Sequence, residues 1–165
     1  MPDYGRHPGN EHYCRLDRKT MERPAWRALS PTAQALYPWF KMEWKGPRAN
    51  NNGRIRLSVR QAAKCIGVSR DTAAKAIHEL QKKGWIVVYR QGALGVEGEA
   101  RGHEYELTEI ALPPTLVRKA DYKAGMEPRP RDLYVHWREG KDYPVAKVRT
   151  NNPMGRNGRK PRHRN

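Results

Sequence analysis

The strongest constraint on the fold is a pair of short helix patterns in residues 58–83, separated by a glycine. Ser58 and Gln61 have the spacing of a capping box, in which each side chain binds the other residue's free backbone amide. Gly67 then stops the first helix, because glycine adopts a positive φ at little cost. Ser69 begins a second helix, since its hydroxyl can accept from an unpaired amide of the first turn. The pattern predicts two helices joined by a tight turn.

Both predicted helices have one apolar face and one polar face. The polar side of the second helix begins with Arg70, Thr72 and Lys75. Two short helices of this kind, with basic residues at the start of the second, are typical of a helix-turn-helix whose second helix enters the DNA major groove. The positions expected to be buried are Val59, Ala62, Ala63, Ile66, Ala73, Ala76, Ile77 and Leu80.

The flanking segments complete a mixed α+β pattern. A Ser-Pro pair at 30–31 predicts the start of a helix, and Pro38 is expected to kink or interrupt that helix. Residues 54–57 alternate polar and apolar and predict a short strand. Residues 85–89 and 104–108 predict an antiparallel pair joined by a long glycine-containing tip. This order predicts a winged helix-turn-helix: a three-helix core with a small antiparallel β-wing.

The charge of the chain points to a polyanionic partner. Its 165 residues include 33 Lys and Arg against 17 Asp and Glu, a net charge of +16 at pH 7. Residues 118–165 contribute fourteen basic and five acidic residues to this surplus. We therefore predict an N-terminal arm at 1–23, a DNA-binding domain at 24–112, and a basic, largely flexible extension at 113–165.

Several classes of protein are disfavoured by the composition. Two cysteines do not form a disulfide framework and favour a reducing compartment, and no apolar run approaches the ~20 residues of a membrane span. There is no second Cys/His pair at zinc spacing and no glycine-rich phosphate loop. We expect a cytoplasmic, nucleoid-associated protein that is not an enzyme, needs no metal or cofactor, and has no membrane partner.

The second helix resembles the recognition helix of GntR-type winged-helix regulators. The resemblance rests on the Ser-Arg-Asp-Thr run at 69–72, on Ala76 and Leu80, and on Gly84-Trp85. It implies a recognition helix that opens with Ser, Arg and Thr, and a glycine that ends this helix before the first wing strand. The chain departs from the pattern at Ala74, where a basic residue is frequent, so the family's base contacts do not transfer as a set.

A longer stretch, roughly residues 20–110, is similar to small helix-turn-helix proteins of alphaproteobacterial plasmids and prophages. The similarity is carried by residues 25–30, 52–55 and 84–86. It implies the same fold, and some of these proteins are labelled replication initiators or regulators. We therefore predict a sequence-specific double-stranded DNA-binding protein that regulates transcription in a mobile element or phage. The alternatives are a plasmid or phage replication initiator and a winged-helix module that docks on host machinery.

The candidate DNA contacts lie on the second helix, the short strand and the wing roots. Arg70 is expected on a guanine edge or a phosphate. A merely solvated polar face is the alternative for the helix and strand residues, whereas Ser69 is expected first of all to cap the helix. The predicted contacts are Ser69, Arg70, Thr72, Lys75, Arg90, Arg101, Arg54 and Arg56. The predicted non-specific phosphate contacts are Lys147, Arg149, Arg156, Arg159, Lys160, Arg162 and Arg164.

Three further expectations concern packing and partners. A homodimer is expected, because a lone winged helix reads few base pairs. The tryptophans Trp26, Trp39, Trp44 and Trp85 are expected to pack in the protein rather than stack on bases. The apolar segment Leu133–Trp137 stands within the predicted extension, and it either docks back on the domain or binds a protein partner.

Overall fold

The computed structural model describes residues 13–92, 101–117 and 127–146, which form an α+β arrangement of helices and a two-stranded antiparallel sheet. Two 3₁₀ turns, at Pro47–Ala49 and Pro114–Leu116, connect these elements. The helices are α1 (Arg18–Met21), α2 (Pro24–Arg27), α3 (Pro31–Met42), α4 (Val59–Ile66), α5 (Arg70–Lys82) and α6 (Leu133–His136). The strands are β1 (Ile86–Arg90) and β2 (Glu104–Leu107).

Helix α3 begins and packs as its sequence predicts. The Ser30 hydroxyl accepts a hydrogen bond from the Ala33 amide at 3.2 Å, and proline occupies the first helical position. Pro38 does not interrupt the helix, which continues to Met42. Burial of the apolar face therefore outweighs the backbone donor that the proline removes. The fully buried residues of this face are Ala33, Leu36, Tyr37 and Phe40.

The two-helix unit at residues 58–83 has the predicted caps and turn. Both hydrogen bonds of the capping box between Ser58 and Gln61 are present. Gly67 has φ 67°, and its left-handed conformation ends α4. The predicted inward residues of α5 are buried, whereas Val59 and Ile66 of α4 are only half-buried. Helix α5 packs against α3 and α4 through this buried face.

The sheet is antiparallel, and its inner face contributes to the core. Ile86 pairs with Leu107 and Val88 with Tyr105. The strand predicted at 54–57 is reduced to a single bridge, in which the Ile55 carbonyl accepts from the Tyr105 amide at 2.8 Å. A turn immediately precedes this bridge, and the α4 capping box follows it closely. The segment between them is too short for a longer strand.

Trp85 occupies the centre of the core. Its ring makes edge contacts with Trp26 at 5.4 Å and with Tyr37 at 5.0 Å between centroids, and its indole N–H donates to the Ala25 carbonyl at 3.3 Å. Such pairs add to the free energy of area burial. Trp39 differs from the expected packing, because it is 39% exposed on the outer side of α3.

Asn52, which is fully buried, ties the turn before Ile55 to the end of β2. Its Oδ1 accepts from the Leu107 amide at 2.7 Å, and its Nδ2 donates to the Leu107 and Ile110 carbonyls. Within the described ranges, every buried side-chain nitrogen and oxygen has a hydrogen-bond partner.

Residues 127–146 differ from the largely flexible extension predicted for 113–165. Tyr134 stacks on Trp85 at 4.1 Å with an interplanar angle of 14°, and Trp137 is only 4% exposed. The Tyr143 amide donates to the Lys82 carbonyl at 2.9 Å. Of the two alternatives for Leu133–Trp137, docking on its own domain is the one observed. We call residues 131–146 the C-terminal strap.

Ion pairs hold the C-terminal strap at both ends. At one end the Arg131 guanidinium pairs with Glu106, whose side chain is 1% exposed. At the other end Lys83 donates to Asp142 at 2.9 Å and lies 4.3 Å from the Trp137 ring centroid. Hydrogen bonds from Lys83 and Trp137 hold the pKa of Asp142 below its usual range.

Arg131→Ala is expected to lower the free energy of unfolding by about 2–4 kcal/mol, because it leaves the buried Glu106 carboxylate without its cation. Urea denaturation measures the change. Arg138→Ala is the matched control, since this exposed strap arginine bonds only backbone carbonyls among the described residues. Equal losses in the two variants would contradict the assigned role of the buried pair.

Acid is expected to weaken the Lys83–Asp142 contact. A folded-state pKa below the unfolded value stabilises the fold above the unfolded pKa, and this stabilisation is lost as the pH falls through the folded pKa. Between about pH 5 and about pH 3, the urea midpoint of the wild type should fall towards that of Asp142→Asn. Parallel midpoint curves for the two proteins would show that Asp142 does not stabilise the strap.

Candidate nucleic-acid interface

The exposed face of α5 carries two of the predicted contact residues. Arg70 and Lys75 are exposed, and neither has an ion-pair partner within the part of the chain that the structure describes. His78 and Lys82 continue the exposed face towards the end of the helix. Because the opposite face is fixed against α3 and α4, these side chains are presented outward from a rigid element.

Ser69 and Thr72 fix the first turn of α5. The Thr72 amide donates to the Ser69 hydroxyl oxygen at 3.2 Å, and the two hydroxyl groups lie 2.9 Å apart. Ser69 is exposed and Thr72 half-buried. Their hydrogen bonds to each other orient the turn that bears Arg70, and one hydroxyl hydrogen remains available for an external acceptor.

Helix α4 adds two cations that were not among the predicted contacts. Arg60 and Lys64 are exposed and lie four residues apart, so they share one side of the helix. The buried Ala62 and Ala63 lie between them in sequence and face the core. The spacing of the apolar residues in α4 would have predicted this polar face from the sequence.

Arg56 and Arg90, two of the predicted contacts, converge on Glu104. Arg56 donates from Nε at 3.1 Å and from Nη2 at 2.5 Å to Oε1, and Arg90 Nε lies 3.6 Å from Oε2. The two arginine side chains are 70% and 64% exposed, whereas the glutamate side chain is 7% exposed. Glu104 was not among the predicted site residues, because nothing local in the sequence links it to Arg90 and Arg56, which lie 14 and 48 positions away.

The remaining predicted contacts divide between described and undescribed parts of the chain. Arg54 and Arg101 are exposed. The hairpin apex at 93–100 lies outside the described residues. The tail residues that were predicted to contact phosphate also lie outside them: Lys147, Arg149, Arg156, Arg159, Lys160, Arg162 and Arg164.

His103 lies at the hairpin root and is half-buried. Burial lowers its pKa, and the nearby His78 of α5 lowers it further. Its Nδ1 accepts a hydrogen bond from the Gly92 amide at 3.1 Å, so the proton of the neutral ring is on Nε2. At pH 7 the His103 ring of the hairpin root is therefore neutral. The positive charges of the root are those of Arg90 and Arg101.

A cleft of about 460 Å³ lies on another side of the molecule, between residues 13–17 and the end of α3. Lys41 and Glu109 in its wall form an ion pair at 2.9 Å, and the Tyr37 hydroxyl donates to Glu109 at 2.7 Å. Burial and the neighbouring Glu109 raise the pKa of Tyr37 well above its usual range. The charges of Lys41 and Glu109 are therefore committed to each other.

Metal sites and membrane-spanning helices are both absent from the described residues. They contain no group of three or more His, Cys, Asp and Glu side chains arranged to hold a metal ion. None of the helices within the described ranges is both long and apolar enough to cross a membrane.

The chain matches no protein-family model, no curated protein and no solved structure. A functional conclusion therefore depends on the geometry of α4, α5 and the hairpin root.

Proposed function

We propose that this chain is a sequence-specific double-stranded DNA-binding protein of the winged helix-turn-helix type. The observation that carries the proposal is the asymmetry of α5. One face is buried against α3 and α4, and the other presents Arg70 and Lys75, which have no ion-pair partner among the described residues. A major groove of B-DNA, about 12 Å wide, admits a helix held in this way.

The residues of α5 have distinct roles in this proposal. Arg70 lies in the first turn, and its planar guanidinium can donate two hydrogen bonds to the O6 and N7 atoms of guanine. Lys75 lies about 7.5 Å further along the helix axis and meets a neighbouring base or phosphate. Ser69 and Thr72 hold the first turn in place through their mutual hydrogen bonds.

The hairpin and the neighbouring bridge give the complex its register. The β1–β2 hairpin root approaches the exposed face of α5 at His103 and His78. In the proposed complex, Arg54, Arg56, Arg90 and Arg101 contact the phosphate backbone beside the groove. Phosphate contacts of this kind fix orientation, whereas base contacts specify sequence.

The proposed biological role is the regulation of transcription by a homodimer. Two copies related by a two-fold axis would bind an inverted repeat with half-sites about one helical turn apart, and such a repeat is expected to overlap a promoter. Mapping of bound genomic fragments tests this role. Tandem repeats at a replication origin would contradict it and assign the protein to initiation.

The double variant Arg70→Ala/Lys75→Ala is expected to raise the Kd for a selected duplex about 10- to 100-fold and to reduce sequence preference, because it removes both base-directed cations. Fluorescence anisotropy and a repeated site selection measure the two effects. Both residues are exposed and alanine favours helix, so the fold should persist.

A variant with the same charge change controls for net charge. Arg18→Ala/Lys19→Ala removes two exposed cations from α1 and should raise Kd far less, with the selected sequence unchanged. If the α5 variant selects the same sequence with the same affinity as the control variant, α5 is not the recognition helix.

Truncation after residue 146 is expected to flatten the dependence of log K on log[salt]. It removes seven basic residues but keeps the C-terminal strap. The strap ends at Ala146, whose amide donates to the Gln81 side chain. If all seven meet phosphates, the slope should fall by about 6. An unchanged slope with unchanged affinity would show that the tail does not contact DNA.

A further inference from the structure

Glu104 is a buried carboxylate that faces two exposed guanidiniums. A buried carboxylate requires a cation, and one arginine with two donors is sufficient for this purpose. Arg56 alone meets the requirement, because its Nε and Nη2 both donate to Oε1. Arg90 is therefore additional, and the group of three side chains has one positive charge in excess.

The position of Arg90 depends on an irregularity in the sheet. The pairing of Val88 with Tyr105 would place Tyr89 opposite Glu104 if the register continued. A register shift after Val88 places Arg90 there instead. The displaced Tyr89 donates its hydroxyl to the Leu116 carbonyl. Bulges commonly redirect a side chain near a functional site, and this one brings a second cation to Glu104.

The position of Arg56 depends on the neighbouring bridge. Ile55 pairs with Tyr105, which directs both apolar side chains into the core. The neighbouring residues in the extended backbone, Arg56 after Ile55 and Glu104 before Tyr105, therefore face the opposite side of the sheet. Two independent backbone features thus deliver two guanidiniums to one carboxylate.

We infer that Glu104 is a positioning residue that holds Arg56 and Arg90 side by side as one phosphate-binding pair; the inference rests on the proposed DNA binding. Each arginine uses its Nε side towards Glu104, so the remaining N–H groups point away from the carboxylate. In this inference the carboxylate restrains both side chains before DNA arrives, which lowers the entropy cost of contact. Both remain largely exposed and therefore accessible to a phosphate.

A purely neutralising role for Glu104 predicts the opposite change in DNA affinity when its charge is removed. If Glu104 only neutralised nearby positive charge, removing its charge would strengthen DNA binding, because the net charge of the protein would rise by one. If it positions the arginines, Glu104→Gln weakens binding despite the more positive protein.

The first experiment measures binding of Glu104→Gln to a fluorescein-labelled, mixed-sequence duplex of about 30 bp across a range of salt concentrations. We expect Kd to rise about three- to tenfold, and the salt slope to fall by about 1–2. A change in stability alone would leave the slope of the folded protein unchanged. Thermal unfolding of the variant defines a temperature at which it is folded.

Lysine variants test the geometry with charge held constant. Arg56→Lys and Arg90→Lys should each raise Kd about threefold, because lysine cannot bond both the carboxylate and a phosphate with a planar fork. Arg27→Lys, at an exposed α2 position that has no ion-pair partner in the described residues and is not among the proposed DNA contacts, should remain within about twofold of the wild type. In the Glu104→Gln background, Arg56→Lys should have no further effect.

The outcomes separate this inference from the proposed function. Equal or tighter binding by Glu104→Gln overturns it, as do equal losses in all three lysine variants. If Glu104→Gln does not fold, the contrast between Arg56→Lys and Arg27→Lys decides. Failure of the wild-type protein to bind any duplex refutes the proposed DNA binding itself. If Arg70→Ala/Lys75→Ala weakens binding and Glu104→Gln does not, only the role of Glu104 is refuted.

Discussion

Burial of the Trp85 ring is the interaction on which the rest of the structure depends. The ring contacts Trp26 of α2 and Tyr37 of α3 edge-on, and its other neighbour, Tyr134, belongs to the C-terminal strap. Trp85 also lies between α5 and β1 in sequence, so its position fixes where α5 ends and where the hairpin starts. One side chain therefore connects the helices, the sheet and the strap.

The second organising constraint is a pair of buried carboxylates on one face of β2. Glu104 and Glu106 both point away from the core and both need cations. Glu106 is satisfied by Arg131, and this pair attaches the C-terminal strap to the sheet. Glu104 is paired with Arg56 and Arg90, whose side chains remain exposed. A buried carboxylate paired with arginine thus stabilises the fold at Glu106 and, in our inference, positions phosphate-binding arginines at Glu104.

Much of the helical part could be predicted from the sequence, because its determinants are local. The capping box at Ser58, the left-handed Gly67 and the cap at Ser69 each act within three or four residues. The apolar period of α5 identifies its buried face correctly for the same reason. Exposure of Arg70 and Lys75 followed from that period, whereas their contact with DNA stays a prediction.

The sequence by itself determined the helix pair, the antiparallel strands and the excess of positive charge, since these follow from spacing, caps and composition. Only the tertiary structure decided that the strap packs on Trp85, that a bulge puts Arg90 opposite Glu104, and that Arg56 joins them. The physical reason is separation along the chain. Glu104 lies 48 residues from Arg56, and Tyr134 lies 49 from Trp85, so no local pattern encodes either contact. Both form because burying a charge or an aromatic ring requires a partner that the fold brings from a distance.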